Sequence, residues 1–564
     1  CRPRNSLVII GHEVQVLIRR SSLIVVLTGW LLAAPAHAAD PTDPVVQALA
    51  NRVEEMQTLG SVQIQGTPIG GRILLPAIYA GQDFQPQWTN ASRVQELIDL
   101  VRTAPEDGLV LEDYLVEQIE AQRRTADASK SPVDIANLDL ILTESVVRYG
   151  YHQLFGKVNA AEIDSDVNFT RTFFDGREPA EAIPQFIASS APLQAQLDQF
   201  VLRSPVYAGL KAQLARHRQI AAEGGWPTVT VGETLHPDDS DPRVAELRRR
   251  LAVSGDLPPG SDVTSPVFDD ELKAAVVSFQ GRHALDADGV VGKNTYAAMN
   301  VPVETRIDQI RLSLERLRWV RQDSSGNFIA VNIAGFRVFF ASRDGITWMT
   351  RAMVGRTYRQ TPVFRGTLSY MEINPTWTVP PGILRKDKLP AIKRDPSYLE
   401  RTNMSVLDRD GRKLDPSTID WQSYGSTIPY ILRQEPGPDN ALGEIKFIFP
   451  NKHFVFLHDT PSRSLFSRAE RTFSSGCIRV EDPFALAELI MNDSARYDRA
   501  ALEGIRDTRQ TRRIDTPKLP VVVLYLTASL EIDGRPRFLK DIYERDAKLL
   551  QALNGTVVIS DLDG

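Results

Sequence analysis

The apolar residues change period part-way along this 564-residue chain, and that change limits the folds open to it. Early in the chain they recur every three or four positions, as in Val94, Leu97, Leu100 and Val101 or Leu138, Ile141, Val146 and Val147, which is the spacing of one helix face. After about residue 325 the pattern becomes short β-branched and aromatic runs bounded by turns: Phe328–Ile333, Phe336–Ala341, Phe447–Phe449, Val455–Leu457 and Val521–Leu526. A chain that runs helices first and strands later is a multidomain α+β protein. Four zones follow a low-signal stretch that ends near Pro68. Residues 72–224 read as a helical domain, and Gly224-Gly225-Trp226-Pro227 with the turn-rich run His236 to Pro242 reads as a linker. Residues 243–300 form a compact three-helix module, with helices predicted over Val244 to Leu251, Asp270 to His283 and near Thr295. A connecting helix over 304–320 leads to the mainly-β zone 325–530, and 531–564 is left as a C-terminal segment.

The first residues point to export. Arg19-Arg20, the apolar run Leu23 to Ala34 and the small-residue site Ala36-His37-Ala38 have the order of a secretory signal peptide over residues 1–38. The run is short for a bilayer span, so an uncleaved anchor is the second reading, and no later stretch approaches ~20 apolar residues. The chain opens on Cys1 rather than methionine, which reads as an upstream translation artefact. With a net charge of -6 and a pI near 5.9, a nucleic-acid partner is not expected. Only two cysteines occur, Cys1 and Cys477, so the exported part has no disulfide scaffold and depends on packing.

Cys477 is then a lone thiol, and it sits in Ser474-Ser475-Gly476-Cys477-Ile478-Arg479. Most lone cysteines are small buried hydrophobes. Here small residues suit a tight exposed turn, Arg479 favours a thiolate, and His458 upstream offers a base. Glycine at 476 lets a carbonyl approach the Gly476 and Cys477 backbone N–H groups, which suit a developing oxyanion. Arg479 has three readings: it depresses the thiol, grips a substrate carboxylate, or forms a structural salt bridge. His453 reads as an unpaired strand or surface residue. No metal or organic cofactor is expected. The eight histidines are scattered, no His-Glu-x-x-His occurs, and a calcium loop at Asp286-Ala287-Asp288-Gly289 fails because Ala284 and Thr295 would occupy its first and last ligand positions.

Residues 243–300 resemble the three-helix peptidoglycan-binding module, on Val244-x-x-Leu247, Leu251, Gly255, Phe268-Asp269, Ala274-Ala275-Val276-x-x-Phe279-Gln280, Leu285-x-x-Asp288-Gly289-x-x-Gly292 and Thr295. In that pattern Leu247, Leu251, Val276 and Phe279 are core, and Gly289 and Gly292 close a tight loop. The β zone resembles the L,D-transpeptidases with the YkuD-type catalytic domain. The carrying residues are His458-Asp459-Thr460-Pro461 followed by Ser474-Ser475-Gly476-Cys477-Ile478-Arg479-Val480. The flanks Val354-Gly355-x-x-Tyr358-Arg359-Gln360-Thr361-Pro362, Asn374-Pro375-x-Trp377-x-Val379-Pro380 and Pro436-Gly437-x-x-Asn440-Ala441-Leu442-Gly443 agree with the large periplasmic Gram-negative branch. Phe84-Gln85-Pro86-Gln87-Trp88 is similar to that branch's scaffold domain.

The resemblance implies a periplasmic enzyme that forms 3→3 diaminopimelate cross-links and is acylated by carbapenems. In it Cys477 is the nucleophile, His458 the base, and Gly476 and Ser475 complete the catalytic loop, while Arg479, Ser474, Trp377 and Asn440 contact substrate. Serine stands at 475 where many relatives carry histidine, so His458 is oriented either by Ser475 or by a backbone carbonyl. The insert 381–432, rich in proline and charge, corresponds to that branch's capping subdomain, a lid over the groove. Stem peptides and glycan strands are the implied partners, with glycan polymerases or carboxypeptidases as candidate protein partners. The same acyl-enzyme resolved by water, giving a carboxypeptidase or endopeptidase, or by a protein amine, giving wall anchoring, remains the alternative. A D,D-transpeptidase is excluded because no serine has lysine three residues later. A papain-like protease is excluded because its histidine follows the cysteine.

Overall fold

In a computed structural model of the chain, residues 43–171, 178–202, 204–321, 326–342 and 344–557 are described. The predicted signal peptide lies outside them. No helix among the described residues is long and apolar enough to cross a membrane. The architecture is a helical N-terminal region, a small helical module and a mainly-β domain carrying an insert.

Helix α1 (Pro44–Leu59) falls in the stretch that gave little signal in the sequence. Its punctuation is nonetheless local. Asp43 accepts from the Val45 N–H, proline opens the first turn, and Gly60 closes the helix at φ 91°. Val46, Leu49, Val53 and Met56 are its buried stripe. Leu49, Val53 and Met56 join one core with α2 (Pro132–Phe155), so the helical domain begins well before residue 72.

The module's core is Val244, Leu247, Leu251, Phe268, Leu272, Val276 and Phe279 around helices Pro242–Ser254, Asp270–Arg282 and Lys293–Met299. Gly289 takes a positive φ of 76°, whereas Gly292 is extended at φ -95° and caps the last helix instead of shaping a left-handed turn. The Asp288 carboxylate is occupied by Gln280 Nε2 (2.8 Å) and the Val290 N–H (2.9 Å), so this turn is held by its own side chains. The supposed linker is packed as well. Val229 lies in the module core, and the Arg250 guanidinium sits 4.0 Å over the Trp226 ring.

Among the described residues ten strands form the main sheet. In chain order these are β1 (Phe328–Asn332), β2 (Arg337–Ser342), β3 (Gly345–Met353), β4 (Phe364–Thr367), β5 (Tyr370–Ile373), β6 (Ile445–Ile448), β7 (Leu457–His458), β8 (Ile478–Val480), β9 (Arg512–Asp515) and β10 (Pro520–Leu524). Their spatial order is β9-β5-β6-β7-β8-β3-β2-β1-β10-β4. Two neighbouring pairs are parallel, β1 with β10 and, at the centre, β7 with β8. Phe336, read as the start of a strand, instead takes φ 51° in the turn between β1 and β2.

The insert is folded, with its own core of Val379, Leu389, Ile392, Leu399, Val406, Trp421 and Leu432. Its four-stranded sheet starts at Trp377–Thr378 and ends with Ile431–Gln434, so the structural unit is wider than 381–432.

The C-terminal segment ties the parts together. Its hairpin, Ala528–Leu530 with Pro536–Phe538, meets the connecting helix α3 (Val303–Arg318) where the Ala528 N–H donates to Ser313 Oγ (3.0 Å). On the module side Arg535 donates to Ser278 Oγ (2.7 Å) and Arg282 to the Pro536 carbonyl. Helix α4 (Asp546–Asn554) sends Leu549 and Leu553 into the helical domain's core. Arg282 also makes a two-point pair with Asp256 at 2.5 and 2.9 Å, both side chains being almost fully buried. Removing one partner strands the other charge in a dry site, so Asp256→Ala is expected to cost about 3–5 kcal/mol in denaturant unfolding. An exposed pair would cost under ~1 kcal/mol.

Candidate active site

The two central parallel strands bring the chemistry together. The β7–β8 register sets Leu457 opposite Ile478 and His458 opposite Arg479, so Cys477 lies at the entry of β8 beside the start of β7, where the Ile478 N–H donates to the Phe456 carbonyl. Residues from 457 to 479 thus meet through a single ladder.

The loop ahead of Cys477 is held from two sides. Ser474 Oγ accepts from the Gly476 N–H (3.1 Å) and donates to the Cys477 carbonyl (2.5 Å). Gly476 takes φ 117°, which L side chains rarely adopt. On the other side, the Ser474 N–H donates to the Val354 carbonyl (2.9 Å) and the Arg356 N–H to the Ser474 carbonyl (3.1 Å). Thr361 Oγ1 donates to the Gly476 carbonyl (2.8 Å) while accepting from the Gly355 N–H (2.9 Å). Tyr543 of the C-terminal segment donates to the Gly355 carbonyl. The motif from 354 to 362 is therefore a backbone cradle for the nucleophile loop. A Cβ on Gly355 would stand 2.2 Å from the Arg359 carbonyl oxygen and 2.8 Å from the Thr361 nitrogen, which are backbone atoms and cannot rotate away. Gly355→Ala should push this cradle apart, lowering the acylation rate about 100-fold through sub-ångström misplacement of Cys477. Stopped-flow acylation with a β-lactam measures it.

His458 is buried, and its Nδ1 lies 2.5 Å from the Asp459 carbonyl oxygen. A carbonyl only accepts, so the proton is assigned to Nδ1 and Nε2 keeps the lone pair. Burial first, then the positive charges of Arg479 and Lys446, hold the imidazole down to about 3 against hydrogen bonds with the Asp459 and Leu442 backbone. Ser475 is not the orienting group. It is exposed, and its Oγ accepts from Arg359 (3.0 Å). The same guanidinium is paired with Asp387 of the insert at 2.7 and 3.2 Å, so the cap reaches the nucleophile loop through Arg359.

The half-buried Cys477 thiol is pushed up from its ordinary value by burial. A hydrogen bond with the Phe456 backbone and the charges of Lys446 and Arg479 pull it down, and they lose. Arg479 does pull the thiol down, as expected, but desolvation outweighs it, and thiol and imidazole both rest neutral. Arg479 also forms no salt bridge among the described residues, and its buried Nε has no partner. That removes the structural-pair reading.

Cys477, Gly476 and Ser475 open into a cleft of about 800 Å³. Its other walls come from residues 160–167 of the helical domain, the loop 453–455 and residues 543–549. Neither 160–167 nor 543–549 carries a sequence signal for this role, because their place depends on how the helical domain and α4 pack. Two expected substrate contacts are structural. Asn440 is buried, donating to the Pro375 and Glu435 carbonyls (3.0 Å each) and accepting from the Leu442 N–H (2.8 Å). Ser474 is buried and spent on its own loop. Trp377 belongs to the cap sheet and lies under the Lys388 ammonium (5.2 Å), away from this cleft's lining. The Gly476 N–H, already bonded to Ser474 Oγ, is not free for an oxyanion. His453 lines the cleft, packs at a tilt against Phe364 (ring centroids 5.0 Å) and has Asp166 3.8 Å away, so it is not unpaired. Among the described residues no group of three or more His, Cys, Asp or Glu could hold a metal ion.

Comparison with known proteins bears on the domains that carry this site. Residues 326–523 match YkuD, the L,D-transpeptidase catalytic domain. Residues 74–214 match the scaffold domain, and 240–299 match a "Putative peptidoglycan binding domain". A "Putative L,D-transpeptidase" of Haemophilus influenzae is 35% identical over 247 residues, which is 44% of this chain and 50% of the relative. The chain thus spans about half the length of the curated relative it matches. Crystal structures of L,D-transpeptidases from Xylanimonas cellulosilytica and Stackebrandtia nassauensis align over 52% and 53% of this chain and 98% and 96% of theirs. Both are 14% identical, with TM-scores of 0.17 and 0.20.

Proposed function

We propose that this chain, which carries an L,D-transpeptidase catalytic domain of the YkuD type beside a scaffold and a peptidoglycan-binding domain, forms 3→3 cross-links in peptidoglycan through a Cys477 acyl-enzyme. The observation that carries this reading is a thiol lining an open cleft, on the strand adjoining that of a buried, neutral histidine whose Nδ1 is tied to a backbone carbonyl. His458 Nε2 takes the thiol proton as the sulfur attacks the diaminopimelate carbonyl of a donor tetrapeptide. The same proton then passes to the departing D-alanine amine, leaving a thioester. A buried imidazolium is costly, so it forms only while an oxyanion forms beside it. The Cys477 N–H is the donor for that oxyanion, since the Gly476 N–H is engaged. Arg479, cationic and without a salt-bridge partner among the described residues, suits a substrate carboxylate. The side-chain amine of a second diaminopimelate resolves the thioester.

Domains that act on peptidoglycan support a site of action outside the cytoplasm, in the periplasm, with stem peptides and glycan strands as partners. The test is muropeptide mass spectrometry after the purified mature chain has acted on tetrapeptide-rich sacculi. Diaminopimelate-diaminopimelate dimers are expected. Tripeptides without dimers would reassign the acceptor to water, and unchanged tetrapeptides would end the reading.

A further inference from the structure

Phe454 is costly to the fold twice over. It is 77% exposed, and its backbone sits at φ 54°, a left-handed conformation that a bulky residue adopts only when its surroundings enforce it. Single exposed apolar residues are common on protein surfaces. This one lines the cleft beside Ser475, Gly476 and Cys477, and its carbonyl oxygen lies 3.7 Å from the Cys477 sulfur, which donates to it.

The turn that presents it is built by one side chain. Asn451 Oδ1 accepts from the His453 and Val455 N–H groups (3.1 Å each), and Nδ2 donates to the Phe449 (2.7 Å) and Val455 (2.8 Å) carbonyls. Three of those four bonds pin both neighbours of Phe454. Val455 is buried in the sheet's core and His453 is packed near Phe364, so the residue between them is the one turned out. Glycine would remove the backbone strain and a polar residue the exposed ring, and the chain has neither.

We propose that Phe454 is a substrate-contacting residue: its ring is the platform on which the aliphatic face of the stem peptide, at the diaminopimelate and D-alanine flanking the scissile amide, packs as the carbonyl meets Cys477. The inference rests on the proposed acyl transfer. Stored strain at the nucleophile's rim is what pre-organisation of such a contact requires, because the ring is held in place before substrate arrives.

Phe454→Gly and Phe454→Tyr, assayed on a soluble disaccharide tetrapeptide, test it. For the glycine variant KM should rise about 10- to 100-fold, the affinity equivalent of burying one aromatic ring, with a much smaller change in kcat. Its Tm should equal or exceed that of the parent, since glycine adopts this φ freely. Tyrosine keeps the ring face and should stay within about twofold of the parent KM. A glycine variant with unchanged kcat/KM overturns the platform, as does one whose Tm falls with its activity, or a tyrosine variant as impaired as glycine. A parent chain that leaves the tetrapeptide untouched would instead sink the acyl-transfer reading, and the platform with it.

Discussion

Cys477→Ala should lose acyl transfer by at least ~10³-fold while its Tm stays within a degree or two of the parent. The thiol is half-buried, lines the cleft and donates to the Phe454 carbonyl only through a long 3.7 Å contact, so its removal opens little space in the core. Cys477→Ser is expected to fare almost as badly. A hydroxyl has a far higher pKa than a thiol, and a neutral, buried imidazole is too weak a base to activate it. Intact-protein mass spectrometry with a carbapenem should show one adduct on the parent, mapping to Cys477, and none on Cys477→Ala. Persistent 3→3 dimers from a folded Cys477→Ala chain would remove the nucleophile from this account.

His458→Gln should reduce acylation by about 10²–10⁴-fold, the range for losing a positioned general base. It should also change how stability responds to acid. The folded His458 is held down to about 3, below the ordinary value of 6.5 that it recovers on unfolding. Between those values the unfolded chain binds the extra proton, so stability is complete above about pH 6.5 and falls as pH drops toward 3, by at most about 1.4 kcal/mol per pH unit from this group. His458→Gln removes that linkage, and its urea midpoint should decline less steeply than the parent's between pH 6.5 and 4. Identical slopes for the two proteins would show that His458 does not stay neutral in the folded state. The Cys477 thiol, pushed up from its ordinary value, places the basic limb of the acylation profile above that of a free cysteine.

Much of the candidate site was legible in consecutive residues. Gly476 needs its φ of 117° wherever the chain turns before Cys477, and that demand is written into the local Ser-Ser-Gly-Cys run. His458 and Cys477 were paired by residue type alone, and the β7–β8 ladder brings their strands side by side. The core of the small module was equally plain, because Leu247, Leu251, Val276 and Phe279 follow the helix period. Where the reading fell short, the residues had been assigned to substrate by motif membership. Asn440 and Ser474 recur in the motif because they tie backbone together, and a hydrogen-bonded buried amide looks the same in sequence as a ligand-binding one. The helix Pro44–Leu59 was missed although its Asp43 cap and Gly60 stop stand in the sequence, since its stripe is sparse and mixed with small residues.

By itself the amino-acid sequence determined the helices of the small module, most strands of the β zone and the residue types that stand ready for thiol chemistry, because periodicity and short-range spacing are local properties. Tertiary structure decided three further matters. It set the sign of the Cys477 shift, where desolvation by the surrounding fold defeats the nearby cations of Arg479 and Lys446. It chose the Asp459 carbonyl over Ser475 as the anchor of His458. It also walled the cleft with residues 160–167 and 543–549, more than three hundred residues apart in the chain and joined there only by packing. Burial and distance govern all three, and both are properties of the assembled core rather than of any stretch of neighbours.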